Sequence, residues 1–161
     1  MSLPQRAIGV RFCLKNNMRL VVSDNSGSAE KAAALKPLMQ GHEHMVYLET
    51  PPCGMMENWF LTFTETKSDF VLMMGDDDTI FSYGDAPVFT NIPRNVVGIR
   101  PAVMGYSDAG GILRSYTSEI TADHPTQRVM DHLNTSSGAN LGIFTFWRRD
   151  IFKSIMDLWF G

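Results

Sequence analysis

Blocks of apolar residues in this chain switch between helical and extended spacing. Leu3, Ala7, Val10 and Leu14 recur at helical intervals, which predicts a helix over residues 3–16. Pro4 suits its first turn. Leu20-Val21-Val22 reads as a short buried strand, closed by the polar, Gly-containing turn Ser23-Asp24-Asn25-Ser26-Gly27. Ala32, Leu35 and Met39 share one face of a second helix over 28–39, with Glu30 in the first turn, where the helix dipole favours an acid. Met45-Val46-Tyr47-Leu48 reads as a second strand. Pro51-Pro52-Cys53-Gly54 breaks the chain, and Met56, Trp59, Phe60 and Phe63 mark an amphipathic helix reaching about residue 66. Phe70-Val71-Leu72-Met73-Met74 is apolar without interruption, the pattern of a strand covered on both faces.

The second half is less regular. Residues 82–95 carry Gly84, Pro87 and Pro93 and read as turn-rich. Val96-Val97-Gly98-Ile99 is a further strand, Gly105 to Gly111 a loop, and Ser115 to Ile120 an exposed strand. Pro125 opens a short helix through Leu133, followed by the loop Thr135-Ser136-Ser137-Gly138. Ile143-Phe144-Thr145-Phe146 is a strand, and residues 149–159 are helical. No internal repeat, low-complexity tract or linker interrupts the pattern, so residues 1–161 read as one domain of the α/β class.

Composition narrows the partners. A net charge of -3, with the positive residues scattered, gives no electrostatic case for nucleic acid or an anionic membrane surface. No apolar stretch approaches membrane-spanning length, and the start Met1-Ser2-Leu3-Pro4-Gln5-Arg6 is not a signal-peptide pattern. Cys13 and Cys53 make neither a disulfide framework nor a zinc spacing, and thiols in a reducing compartment are expected.

The chemistry concentrates at Asp76-Asp77-Asp78, which follows the apolar run 70–74 and Gly75. Adjacent carboxylates repel and raise one another's pKa. A divalent cation such as Mg2+ or Mn2+ relieves that repulsion, since hard cations prefer carboxylate oxygens. One reading is a metal site at the carboxyl end of a strand, where open α/β sheets bind ligands. The other is a solvated acidic turn with Asp78 capping the next helix. Asp24 sits at the end of the strand at 20–22, ahead of a helix N-terminus able to attract anions. Spacing therefore puts carboxylates at the ends of two strands expected to neighbour one another.

Val-Val-Ser-Asp-Asn-Ser at 21–26, Glu-Asn-Trp at 57–59 and Ser-Asp-Phe-Val-Leu-Met-Met-Gly-Asp-Asp-Asp at 68–78 resemble family 2 glycosyltransferases of the GT-A fold. The resemblance covers residues 3–81, with an echo at Phe146-Trp147-Arg148-Arg149. It implies a three-layer αβα, Rossmann-like α/β fold with a mainly parallel central sheet. Residues 1–81 would be the nucleotide-binding half and 82–161 an acceptor-side half, incomplete at its C-terminus. Asp24 would contact the base, most often uracil, and Asn25 would belong to the same nucleotide-binding set. Asp76 would lie near the ribose, and Asn58 would touch or brace the donor site. Asp77, supported by Asp78, would hold Mg2+ or Mn2+ on the diphosphate of a UDP-sugar. The implied reaction moves the sugar to a hydroxyl of a saccharide or lipid-linked glycan, with inversion, in the cytoplasm or at the inner face of the membrane. A homo-oligomer is left open.

The family's opening strand and its catalytic base, a late Asp or Glu, find no match here, because Asp150 and Asp157 fall on a helix face. A trimmed domain with little binding or turnover is therefore expected. Two other classes compete. One is a nucleotidyltransferase on a related fold, which generally shows a Gly-rich basic loop that this chain lacks. The other is a non-catalytic association module.

The remaining residues have bland readings beside functional ones. His42 and His44 read as a solvated pair rather than a metal site, and the same holds for His124 and His132. Trp59, Phe60 and Phe63 read as core. Trp147 and Trp159 read as core rather than as platforms for an acceptor sugar. Arg148-Arg149 could pair with phosphate or form a solvated pair at a helix start. Asp123 reads as the cap of the helix opened by Pro125, and Gly110-Gly111 as a flexible loop.

Overall fold

The computed structural model describes residues 3–75, 78, 89, 91–107, 109–116, 119–136 and 144–160. Its regular N-terminal part runs α1 (Leu3–Lys15), β1 (Leu20–Asp24), α2 (Ala29–Met39), β2 (Met45–Glu49) and α3 (Met55–Thr64). These follow the expected elements to within a few residues. Asn17 adopts a left-handed φ of 51° after α1, and the Met18 amide reaches back to the Cys13 carbonyl at 2.9 Å, closing the helix end. Ser28 caps α2, its hydroxyl accepting from the Lys31 amide at 3.3 Å.

β1 and β2 pair in parallel, with Leu20 opposite Met45, Val22 opposite Tyr47 and Asp24 opposite Glu49. Leu20, Val22, Met45 and Tyr47 pack with Val10, Cys13, Leu35 and Met39, so α1 and α2 cover this face. Burial pushes the Cys13 thiol up in pKa, which keeps it inert. Ser23 lies on the opposite face by strand alternation, where its hydroxyl meets Asn58 of α3.

The later elements are β3 (Phe70–Val71), β4 (Gly98–Ile99), β5 (Val103–Ser107), β6 (Gly111–Tyr116), α4 (Pro125–Ser136), β7 (Phe146–Arg148) and α5 (Arg149–Phe160). β7 lies between β3 and β4 and is antiparallel to both. Phe63, Val71, Met73, Phe152 and Met156 form a second core, flanked by Trp59, Phe60 and Trp147. The aromatic residues of α3 and Trp147 thus take the core role expected of them; the side chain of Trp159 lies outside the described residues.

Several expectations are corrected. The chain is mixed α/β; among the described residues β1–β2 is parallel and the other ladders are antiparallel, so a mainly parallel central sheet is not seen there. β1 pairs with β2 and β3 with β7, so the strands at 20–24 and 70–71 are not paired neighbours in the described ladders. The strand expected over 70–74 ends at Val71, although Met73 stays buried. Gly105 to Gly111 is a β-hairpin tip rather than a loop throughout. β5 and β6 pair through Ser107 and Gly111, with a bulge at Gly105/Tyr106. Of the exposed strand expected over 115–120, Ser115 and Tyr116 belong to β6 and residues 117–118 lie outside the described residues; Thr135 and Ser136 extend α4. Most of 82–95, and residues 137–143, lie outside the described residues. No described helix is long and apolar enough to cross a membrane.

Candidate functional site

Parallel pairing brings the carboxyl ends of β1 and β2 to one edge, and Asp24 and Glu49 stand side by side there. Gly27, at φ +64°, takes the left-handed backbone that turns the chain from β1 into α2. The turn folds back on Asp24. The Ser26 amide donates to Asp24 Oδ1 at 3.0 Å, and the Ser26 hydroxyl donates to the same oxygen at 2.6 Å. From β2, the Tyr47 hydroxyl donates to Asp24 Oδ2 at 2.7 Å. Val22 and Asp24 share a face, and Tyr47, opposite Val22, reaches one residue pair along it.

Burial alone would raise the Asp24 pKa. The hydrogen bonds from the Ser26 hydroxyl, Tyr47 and the Ser26 amide, with the charge of Lys31, outweigh it and hold the carboxyl below its ordinary range. Glu49 is matched by Lys36, 2.7 Å away, whose ammonium also lies 5.5 Å from the Tyr47 ring centroid. Asp24, Gly27, Ser28, Ala29, Glu49 and Thr50 line an open concavity of ≈ 210 Å³. That is below the roughly 300–1,000 Å³ common for small-molecule sites, so it can seat part of a ligand.

The loop after β2 is fastened beneath this edge. Asn25 Nδ2 donates to the Cys53 carbonyl at 3.0 Å. Asn58 Oδ1 accepts from the Ser23 hydroxyl at 2.6 Å and the Thr50 hydroxyl at 3.1 Å. The structure therefore gathers three of the expected residues, Asp24, Asn25 and Asn58, into one cluster, with the last two bracing loops. Asp78 turns onto its own chain, Oδ2 accepting from the Gly75 amide at 3.1 Å. Asp76 and Asp77 lie outside the described residues. Among the described residues no group of three His, Cys, Asp or Glu side chains is arranged to hold a metal ion.

No family model, curated protein or solved structure matches the chain. The chemistry of the site accordingly rests on its own geometry.

Sequence reasoning missed Tyr47, Ser26, Thr50 and the Lys36–Glu49 pair. Parallel pairing of the two apolar runs from their first residues would have placed Tyr47 within reach of Asp24. A Ser two residues after a strand-end Asp is also a common local hydrogen-bonding partner. Arg148 and Arg149 are half-buried, and each donates to backbone carbonyls. Arg148 donates to the carbonyls of Val96, Ile92 and Pro93 at 2.7, 3.0 and 2.6 Å. Arg149 Nε donates to the Thr66 carbonyl at 2.9 Å and to its hydroxyl at 3.2 Å. The cap of α4 is His124, whose Nδ1 accepts from the Thr126 amide at 3.3 Å, rather than Asp123. His42 is exposed as expected, whereas His44 is half-buried and its Nε2 has no hydrogen-bond partner among the described residues.

Proposed function

We propose that this chain is a nucleotide-binding domain of glycosyltransferase type, related to the GT-A fold. It would take a UDP-sugar and pass the sugar to an acceptor hydroxyl. The observation that carries this reading is Asp24, an ionised carboxylate lining a concavity at the carboxyl edge of a parallel strand pair, beside the start of α2. Ligands of open α/β sheets favour that edge. Asn25 and Asn58 support it by holding the flanking loops.

Mg2+ or Mn2+ is proposed at Asp77 and Asp78, with Asp76 toward the ribose, on the sequence pattern alone. Such an ion would offset charge on a leaving diphosphate. Neither a catalytic base nor an acceptor site is assigned.

The test is thermal denaturation of the chain with a panel of nucleotide diphosphates and their sugars, with and without Mg2+ or Mn2+. A UDP-dependent rise in Tm that is lost in Asp24→Ala, with a metal-dependent part lost in Asp77→Ala, supports the reading. Absence of any nucleotide effect rejects it. Product analysis then separates sugar transfer from nucleotidyl transfer.

One observation favours a second reading, association without catalysis. Val129, Met130 and Leu133 on α4 are exposed large apolar side chains. A dimer whose sedimentation ignores nucleotide and metal would support it.

A further inference from the structure

An ionised carboxylate offers about four acceptor sites on its two oxygens. Ser26 fills both on Asp24 Oδ1, with its amide and its hydroxyl, and Tyr47 takes one on Oδ2. Among the described residues, one site on Oδ2 has no partner, on a side chain that lines the concavity. Both donors are themselves held. The Ser26 hydroxyl accepts from the Ser28 amide at 3.3 Å, at the start of α2. Tyr47 packs on the first core with Lys36 against its ring. The charged groups around the carboxylate are Lys31 on α2 and Glu49 on β2, the latter matched by Lys36.

We propose that Ser26 and Tyr47 are specificity-determining residues that restrict Asp24 to accepting one N–H, so that the site takes a ligand edge with a single donor and refuses one with two adjacent donors. The inference rests on the nucleotide reading above and deepens it. Uracil presents one N–H between two carbonyls. Guanine presents an N–H beside an amino group, a pair that needs an open site on each carboxylate oxygen. Oδ1 has none while Ser26 is in place. Tyr47 fixes the rotation of the carboxylate, so that the open site on Oδ2 keeps one direction.

The test titrates the full chain with UDP and, separately, GDP, following backbone amide shifts by NMR, for the natural chain, Ser26→Ala and Tyr47→Phe. The natural chain is expected to favour UDP. Ser26→Ala, which opens Oδ1, narrows that preference by about five-fold, the worth of one hydrogen bond. Tyr47→Phe weakens UDP by a similar factor. An unchanged UDP-to-GDP ratio in Ser26→Ala overturns the proposal. If the natural chain binds neither nucleotide at millimolar concentration, the nucleotide reading itself fails. The hold on Asp24 is then read directly from its side-chain carboxyl shift against pH. A higher midpoint in both variants demonstrates that hold, and an unmoved midpoint overturns it.

Discussion

Arg149 Nε sits 2.9 Å from the carbonyl oxygen of Thr66, tying the first residue of α5 to the turn after α3. The same guanidinium lies 5.1 Å from the Phe63 ring centroid, over the second core. Arg149→Ala removes the donor and the cover from that ring together. The expected cost is about 1.5–3 kcal/mol, the range for hydrogen bonds to charged groups, read as a lower urea midpoint. Arg149→Lys should recover only part of it, because an ammonium cannot reproduce the planar fork.

Asn58 Oδ1 takes two hydroxyl protons, from Ser23 and Thr50, whose oxygens are 3.5 Å apart. Asn58→Ala strands both hydroxyls, but they can turn to one another. The loss should therefore fall near the low end for unsatisfied groups, about 1 kcal/mol. Asn58→Asp keeps the acceptor and should cost less. Denaturant unfolding of the pair of variants checks the order.

Gly98 faces Trp147 across the β4–β7 ladder. A Cβ there would lie 2.7 Å from Thr145 Cγ2 and 3.0 Å from Trp147 Cε3. Gly98→Ala must push a buried threonine or the indole aside, at about 1–3 kcal/mol. Thermal unfolding should show the loss, and Trp fluorescence should report a displaced Trp147.

The carboxyl of Asp24 titrates below its ordinary value because native partners favour the ionised form. Its contribution to stability is complete above the unfolded-state pKa of about 3.9 and is lost as pH falls through the lower native value. The stability gap between the natural chain and Asp24→Asn should therefore be largest at neutral pH and close in acid. A gap that persists unchanged into strong acid would show that the carboxylate's charge is not what the fold uses.

The first half of the fold was legible because each of its elements carries its own signal. Ser28 caps, Gly27 turns, and Leu35 and Met39 mark a buried helical face. The second half depends on partners distant in sequence. Phe70–Met74 is apolar throughout, yet only Phe70 and Val71 pair, and they pair with residues 147 and 148. No local pattern announces that. The hairpin of β5 and β6 hid because Gly105, Gly110 and Gly111 read as loop, whereas Gly105 sits at a bulge and Gly111 opens β6 at φ +67°. At the site, Asp24 was legible as a strand-end acid. Its partner Tyr47 was not, because its role depends on the β1–β2 register. Arg148 and Arg149 misled because the carbonyls they serve belong to distant turns, which leave no trace in a charge pattern.

The strand at the centre of β3–β7–β4 is also the last of the three to leave the ribosome. Neither outer strand can find its partner in this sheet until residues 146–148 have been synthesised. Local helices can form early, but this sheet must wait, and closure over such sequence distances is slow. A nascent chain halted just short of β7 would carry two unpaired strand segments and the aromatic surface meant to cover them, the condition under which chains call on chaperones.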